Sequence, residues 1–492
     1  MTPGFRIYKL IFILSLMPVA LKAQPALQWA KCYGGVADDH AEGVEKAWGG
    51  GYIIAGRTMS LDGDVIGLNG MFWDGWVVKT TSAGGIAWAK CYGGGGVDDL
   101  YSIQRVKTAS DSGYIMAGNT SSSLGGTNHG MGDVWVIMID DQGNVKWQKA
   151  FGGSSLDKAW SVHQTRDGGY IVAAETESTD GDVTGVHGIR DYWILKLNSQ
   201  GGIVWQKTFG GTQYEGFSTL DATYDNGAII AGGSASWDGD VSNNYGMADY
   251  WVVKLDSTGA LQWEKSYGGS GLDYVFSIAQ TMDSGYIMCG RSTFDPDSNG
   301  LFHSIIKTDK NGAVQWSAGP RETSDIIQTG DGKYVSVGWD SNGYVITKMS
   351  SNGGVIWNKS VGGGHLEVST AVMQTDDAGF LVSGSSYANG GDVTGHHANA
   401  DMWVVKLAPA PDGIFDVQTK NENVAFYPNP AKEEIRFSEK VNVKLLSYTG
   451  ALLANCQGVH ELDVSEQPAG LYFLLFYDAI GQLIQQEKLF KQ

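Results

Sequence analysis

The chain has 492 residues, including 70 glycines and only 10 prolines, with 11% aromatic residues and a formal charge of −19. That acidity argues against a nucleic-acid binder, which needs a basic patch. The aromatic content argues against a disordered chain, and four cysteines are too few for a disulfide scaffold, so unpaired thiols are expected.

Residues 1–23 read as a secretory signal peptide. Arg6 and Lys9 precede an apolar run, Leu10–Ala20, and the small Ala23 stands before Gln24. The run is too short to span a bilayer, and no cysteine follows it for lipid attachment. Its removal takes away Arg6, Lys9 and Lys22 but no acid. The mature chain is therefore more acidic still and is expected to have no transmembrane segment.

From residue 27 to residue 407 the sequence repeats itself. The stretch DYWILKLNSQGGIVWQKTFGG (191–211) returns as DYWVVKLDSTGALQWEKSYGG (249–269). One tryptophan marks each copy: Trp29, Trp88, Trp147, Trp205, Trp263, Trp316 and Trp357. The period of about 58 residues exceeds solenoid repeats and lies close to propeller blades. Each copy holds four short apolar runs bounded by Gly, Asp and Asn turns, which is strand grammar. In the third copy these are 203–211, 158–165, 169–176 and 191–198. The expectation is an all-β chain: a seven-bladed β-propeller of four-stranded blades over 24–407. The tryptophans of the Asp-x-Trp phrase (Trp76, Trp135, Trp193, Trp251, Trp403) are expected in the core. The unit at 316–357 departs from the rest, having lost both the long loop and the Asp-x-Trp phrase.

The Gly-x-x-x-Trp run resembles the outermost strand of pyrroloquinoline-quinone-type propeller repeats. That phase makes 27–34 an outer strand without a blade of its own, expected to complete the blade formed by 366–407 and so cover two open edges. More broadly, 27–407 resembles Gly-rich repeats of secreted bacterial proteins.

Residues 408–422 read as a linker, holding two of the ten prolines. Beyond it, alternating apolar positions argue for a small β-sandwich over 423–492. Here YPNP, a Tyr-Thr-Gly turn and LDVSEQPAGLYF occur in order. The segment resembles the type A C-terminal sorting domain of the Bacteroidetes type IX secretion system. That resemblance implies type IX machinery as a partner and a place outside a Gram-negative cell or on its outer-membrane surface.

Two recurrent acid sets are candidate ligand sites. Asp39, Asp98, Asp157, Glu215, Asp273 and Glu367 each follow the second glycine of a Gly-Gly pair by four positions. With the tryptophan strand outermost, the strand these acids open is innermost, and they would ring one mouth of the central channel. The alternative is that each caps its own loop. The second set, Asp62, Asp64, Asp180, Asp182, Asp238 and Asp240, forms Asp-x-Asp pairs in the long insertions, on the same face. Such pairs are compatible with Ca²⁺, which takes hard oxygen ligands, and equally with turn capping. No nucleophile elbow, His-Glu-x-x-His or phosphate loop occurs. The expected function is therefore an exported, non-catalytic propeller that binds a glycan or protein or serves as a scaffold. The alternative is a carbohydrate-active enzyme using carboxylates of the loop face.

Overall fold

The computed structural model describes residues 24–492 except 108–111, 125–127, 293–303, 321, 365, 388, 411–423, 425, 448–451 and 478–482. The proposed signal peptide and nearly all of the linker lie outside the described residues. Two compact units are present: Gln24–Ala410, and one to which the described residues after 423 belong. Among the described residues no helix is long and apolar enough to cross a membrane, which says nothing of strands.

The first unit is a seven-bladed β-propeller. Its first blade runs Asp39–Lys46, Tyr52–Thr58, Asp74–Thr80 and Ile86–Tyr92, each strand antiparallel to the next. The other six four-stranded sheets have this simple up-and-down order or, in the last blade, its closing variant. The innermost strands touch one another in a closed ring. In the closing blade, Leu27–Tyr33 pairs with Asp401–Leu407, which lies beside Phe380–Ser386 and then Glu367–Gln374. The first strand of the unit thus completes its last blade, as the sequence phase indicated, and no four-stranded sheet is left one strand short.

The two middle strands of each blade are covered on both faces by neighbouring blades. Runs such as Asp191–Leu197 and Tyr170–Thr176 are accordingly buried throughout, which is why they read as unbroken apolar stretches. Trp76, Trp135, Trp193, Trp251 and Trp403 are fully buried there.

The marker tryptophans lie on the outer strands and join blades. Trp88 Nε1 donates to Asp141 O at 3.2 Å and Trp29 Nε1 to Ser82 O at 3.2 Å, both in the next blade. Trp147 packs on Tyr170 with centroids 5.8 Å apart. Gly201 belongs to the next blade's tight turn, with φ +77°. A Cβ there would lie 2.8 Å from the Trp147 ring. The turn needs glycine for its dihedral, and the ring above needs it for space, so tryptophan and Gly-Gly are copied together.

The sixth blade is shorter. Its inner strand is only Asp325–Gln328, and Tyr334–Asp340 returns directly into Gly343–Met349. The four cysteines are all unpaired.

The second unit is a five-stranded all-β fold. Its long strand Glu434–Ser447 shifts register between Arg436 and Val441. The part before the shift pairs with Phe426–Tyr427 and the part after it with Gly470–Tyr477. Ile435, Val443, Leu474 and Phe476 from these strands share one buried core.

Candidate binding site

The recurrent acids fall in the framework. Asp39, Asp98, Asp157, Glu215, Asp273 and Glu367 are at most 1% exposed, so none offers its carboxylate to the channel. Asp157 shows why. Its Oδ2 accepts from Gly153 N at 2.8 Å and Ser178 Oγ at 2.7 Å, and its Oδ1 accepts from Thr176 Oγ1. Asp39 repeats this with Gly35, Ser60 and Thr58, and Asp98 with Gly94, Ser122 and Thr120. Glu215 takes Gly211 N and Ser234 Oγ; Asp273 and Glu367 take Gly269 N and Gly363 N. Asp39, Asp98, Asp157 and Glu215 thus fasten a Gly-Gly turn to the start of the following insertion.

The Asp-x-Asp residues do related work from the insertion side. Asp62, Asp180 and Asp238 accept through Oδ1 from Val36, Ser154 and Thr212 N at 2.7–2.8 Å. Asp64, Asp182 and Asp240 accept through Oδ2 from Gly34, Gly152 and Gly210 N at 3.1–3.4 Å. Between each pair sits a glycine near φ +67° (Gly63, Gly181, Gly239), the left-handed corner of the turn. Among the described residues no three His, Cys, Asp or Glu side chains are grouped to hold a metal ion.

The residues that do reach the channel come from a device not apparent in the sequence. Six of the seven innermost strands carry a β-bulge. Register skips between Ala41 and Gly43, Leu100 and Ser102, Ala159 and Ser161, Gly216 and Thr219, Val275 and Ser277, and Ser369 and Ala371. A bulge leaves an extra residue unpaired and re-aims its side chain. Those residues are Glu42, Tyr101, Trp160, Phe217 with Ser218, Phe276 and Thr370. Glu42, Tyr101, Trp160, Phe217, Phe276 and Thr370 all line one cavity of about 280 Å³, together with Glu322 and Trp339 of the shortened region. The turns and cores repeat, whereas this column reads Glu, Tyr, Trp, Phe, Phe, Thr.

An aromatic arc crosses four blades at this mouth. Tyr101 and Trp160 have centroids 4.8 Å apart, Trp160 and Phe217 5.3 Å, and Phe217 and Tyr274 5.5 Å. Phe217 holds φ +59°, unusual for a bulky residue. Charges are set among the rings. Lys158 Nζ lies 3.8 Å from the Trp160 centroid and 4.2 Å from that of Tyr101, and the Arg57 guanidinium is 4.9 Å from Trp73. Arg57 approaches Glu42 at 3.8 Å and Asp99 at 3.6 Å. Burial, only partly opposed by Arg57, pushes Glu42 up to about 7. Burial likewise lowers Lys158, and it lowers His40, beside Trp73, to about 4. Two buried N–H groups here, Arg57 Nε and Trp160 Nε1, lack a hydrogen-bond partner, and Asp99 Oδ1 has only its ion pair with Arg57. Donors left open beside aromatic faces suit a ligand with both an apolar face and hydroxyl groups.

Residues 425–492 match the family described as Secretion system C-terminal sorting domain, in agreement with the ordered YPNP and PAGLYF motifs. No curated protein matches the chain. Several solved structures resemble it at low identity. Sqt1 from Chaetomium thermophilum is 10% identical, with 79% of this chain and 100% of that chain covered and a TM-score of 0.43. A fungal alcohol oxidase of the AA5 family, in complex with copper, is 12% identical over 95% and 99%, with a TM-score of 0.45. The Neurospora crassa Pan2 WD40 domain is 12% identical over 78% and 96%, with a TM-score of 0.42. These likenesses decide nothing about ligand or chemistry.

Proposed function

We propose that this chain, which ends in a type IX secretion sorting domain, is an exported propeller that binds a carbohydrate chain at the bulge-lined mouth of its channel. The carrying observation is the non-repeating bulge column, in which aromatic faces stand beside the open N–H groups of Arg57 and Trp160. Sugar rings present C–H faces that stack on aromatic rings and hydroxyl rims that pair with carboxylate and guanidinium. The reading takes residues 1–23 as a cleaved signal peptide and 425–492 as the address for the secretion machinery.

Tryptophan fluorescence titration of the full chain against a polysaccharide panel tests the ligand. The expected result is saturable quenching that Trp160→Ala weakens at least about tenfold, as loss of an aromatic anchor does. No saturable response to any glycan overturns it. Deleting 425–492 tests the address: the truncated chain is expected to stay inside the outer membrane, and normal amounts outside would contradict it.

A hydrolytic reading is kept by one observation, that Glu42 and Glu322 line the same cavity. Glycoside hydrolysis uses two carboxyls, one of them held protonated. Reducing ends released by the wild type and not by Glu42→Gln would favour it over simple binding.

A further inference from the structure

The framework carries a second set of acids, facing the first. In five blades the third strand opens with Asp74, Asp133, Asp191, Asp249 or Asp401, each at most 1% exposed. One oxygen of each is held. Asp74 Oδ2 accepts from Asn69 N at 2.7 Å, Asp191 Oδ2 from His187 N at 2.6 Å, and Asp401 Oδ2 from His397 N at 2.8 Å. Asp133 and Asp249 accept likewise from His129 and Tyr245. The other oxygen, Oδ1, has no hydrogen-bond partner in any of the five.

The neighbouring blade supplies what stands opposite. A Cβ built on Gly93 would meet Asp74 Oδ1 at 2.5 Å and Asp98 Oδ2 at 2.8 Å. On Gly152 it would meet Asp157 Oδ2 at 2.5 Å and Asp133 Oδ1 at 2.7 Å. On Gly210 it would meet Glu215 Oε2 at 2.5 Å and Asp191 Oδ1 at 2.6 Å, and on Gly34 Asp401 Oδ1 at 2.7 Å beside Asp39. Two carboxyl oxygens from adjacent blades thus crowd one glycine. Both are acceptors, both are buried, and donors already surround only one of them. An acceptor facing an acceptor in a dry site is costly, and a shared proton removes the cost.

We infer that each of these blade interfaces binds one proton, carried on Oδ1 of the third-strand aspartic acid and donated to the carboxylate of the next blade. The pairs are Asp401 with Asp39, Asp74 with Asp98, Asp133 with Asp157, and Asp191 with Glu215; at the fifth interface Asp249 alone stands against the glycine, Gly268, and Asp273 is its partner by position in the repeat. The junction of the sixth and seventh blades is different, because Gly343 stands where the others have aspartate.

The charge environment agrees. Burial first, and the facing carboxylate in addition, raises Asp39, Asp74 and Asp249 to about 6, against the donors that hold their other oxygens. Asp157 and Glu215 are raised for the same reasons, and burial raises Asp191 and Asp401. Among other groups facing the pairs, the Cys32 and Cys91 thiols are pushed up to about 12, by burial first, and stay neutral. The Tyr250 phenol is held neutral in the same way. Asp64, Asp182 and Asp240 spend their Oδ2 on the crowded glycine's N–H. The imidazoles of His129, His187 and His397 lie 3.1–3.2 Å from the oxygen already satisfied. Asp74 and Asp249 have no such histidine, so they isolate the carboxyl proton.

A carboxyl raised in the folded state contributes fully below its unfolded pKa of about 4. That contribution is lost as pH rises towards about 6. The melting temperature of the full chain is therefore expected to fall across that interval. Asp74→Asn with Asp249→Asn replaces the shared proton by an amide N–H. The double variant should flatten the fall and melt higher than wild type at neutral pH. Asp376→Asn, at a residue whose side chain is 90% exposed, controls for charge and should leave the slope intact. Independently, the infrared carbonyl band of protonated carboxyl at about pH 5.5, above the ordinary carboxylate range, should be smaller in the double variant. An unchanged slope with an unchanged band overturns the proposal. So does a melting temperature raised by millimolar Ca²⁺ in the wild type but not in the double variant, since a cation would then occupy the place of the proton.

Discussion

Asp157 and Trp160 are three residues apart on one strand and belong to different parts of the molecule. Asp157 recurs as an acid in six blades, is fully buried, and takes three donors from a turn and an insertion. Trp160 sits on a bulge, differs from its counterpart in every other blade, and presents an unpartnered Nε1 beside the channel cavity. In a repeat protein, what is copied holds neighbouring units together. What one position varies, while its backbone geometry is kept, is free to meet a ligand.

Removing what closes the framework has the largest expected effect. Deleting 24–33 strips the outer strand from the last blade, together with Trp29 and the buried Tyr33. Destabilisation above about 4 kcal/mol is expected, read as loss of the main melting transition; an unchanged transition would show that the seam contributes little. Next is Asp157→Ala, which leaves three donors unanswered. It should cost about 3 kcal/mol in chemical denaturation and leave ligand affinity as it was. Trp160→Ala should do the reverse, costing about 1 kcal/mol of stability while abolishing most binding. If both variants lose stability and affinity alike, framework and site are not separable. Smallest is Asp180→Ala, expected to cost about 0.5–1 kcal/mol as a lost turn cap. Calcium or chelator should not shift that variant's melting relative to wild type, since Asp180 serves a backbone N–H.

Much of this was legible beforehand. Seven marker tryptophans gave the number of blades, and the likeness of the tryptophan run to the outermost strand of pyrroloquinoline-quinone-type repeats placed 27–34 on the closing edge. YPNP and PAGLYF marked the sorting domain. The clamp role of Asp39 and its equivalents was also written in the chain, in the hydroxyl pairs Thr58 and Ser60, Thr120 and Ser122, Thr176 and Ser178, and Ser234 and Ser236. These recur with the acids that they bond. The bulges were not legible. One extra residue in an eight-residue strand leaves the alternation of Asp157–Gln164 looking like that of an ordinary strand. Only the pairing with Tyr170–Thr176 shows that Trp160 has no partner. The usable trace was compositional: three places after the copied acid, residues 42, 101, 160 and 276 read Glu, Tyr, Trp and Phe, each different where the framework repeats.

The pairing of Leu27 with Leu407 also sets an order of events. Hairpins within a blade join neighbours in sequence and form early, whereas this seam waits for the whole unit. For a fully unfolded chain, joining its ends costs about 3 kcal/mol more entropy than closing a ten-residue loop, a modest difference because the cost grows only logarithmically. Blades already folded shorten the effective loop further. The seam is therefore last to close in refolding and first to open in the native state. Backbone amides of 27–33 should exchange with solvent faster than those of the equivalent outer strand 203–209, which is joined to its blade by a tight turn. A chain carried outward before that final pairing would travel as an open crescent of blades and become a ring only on arrival.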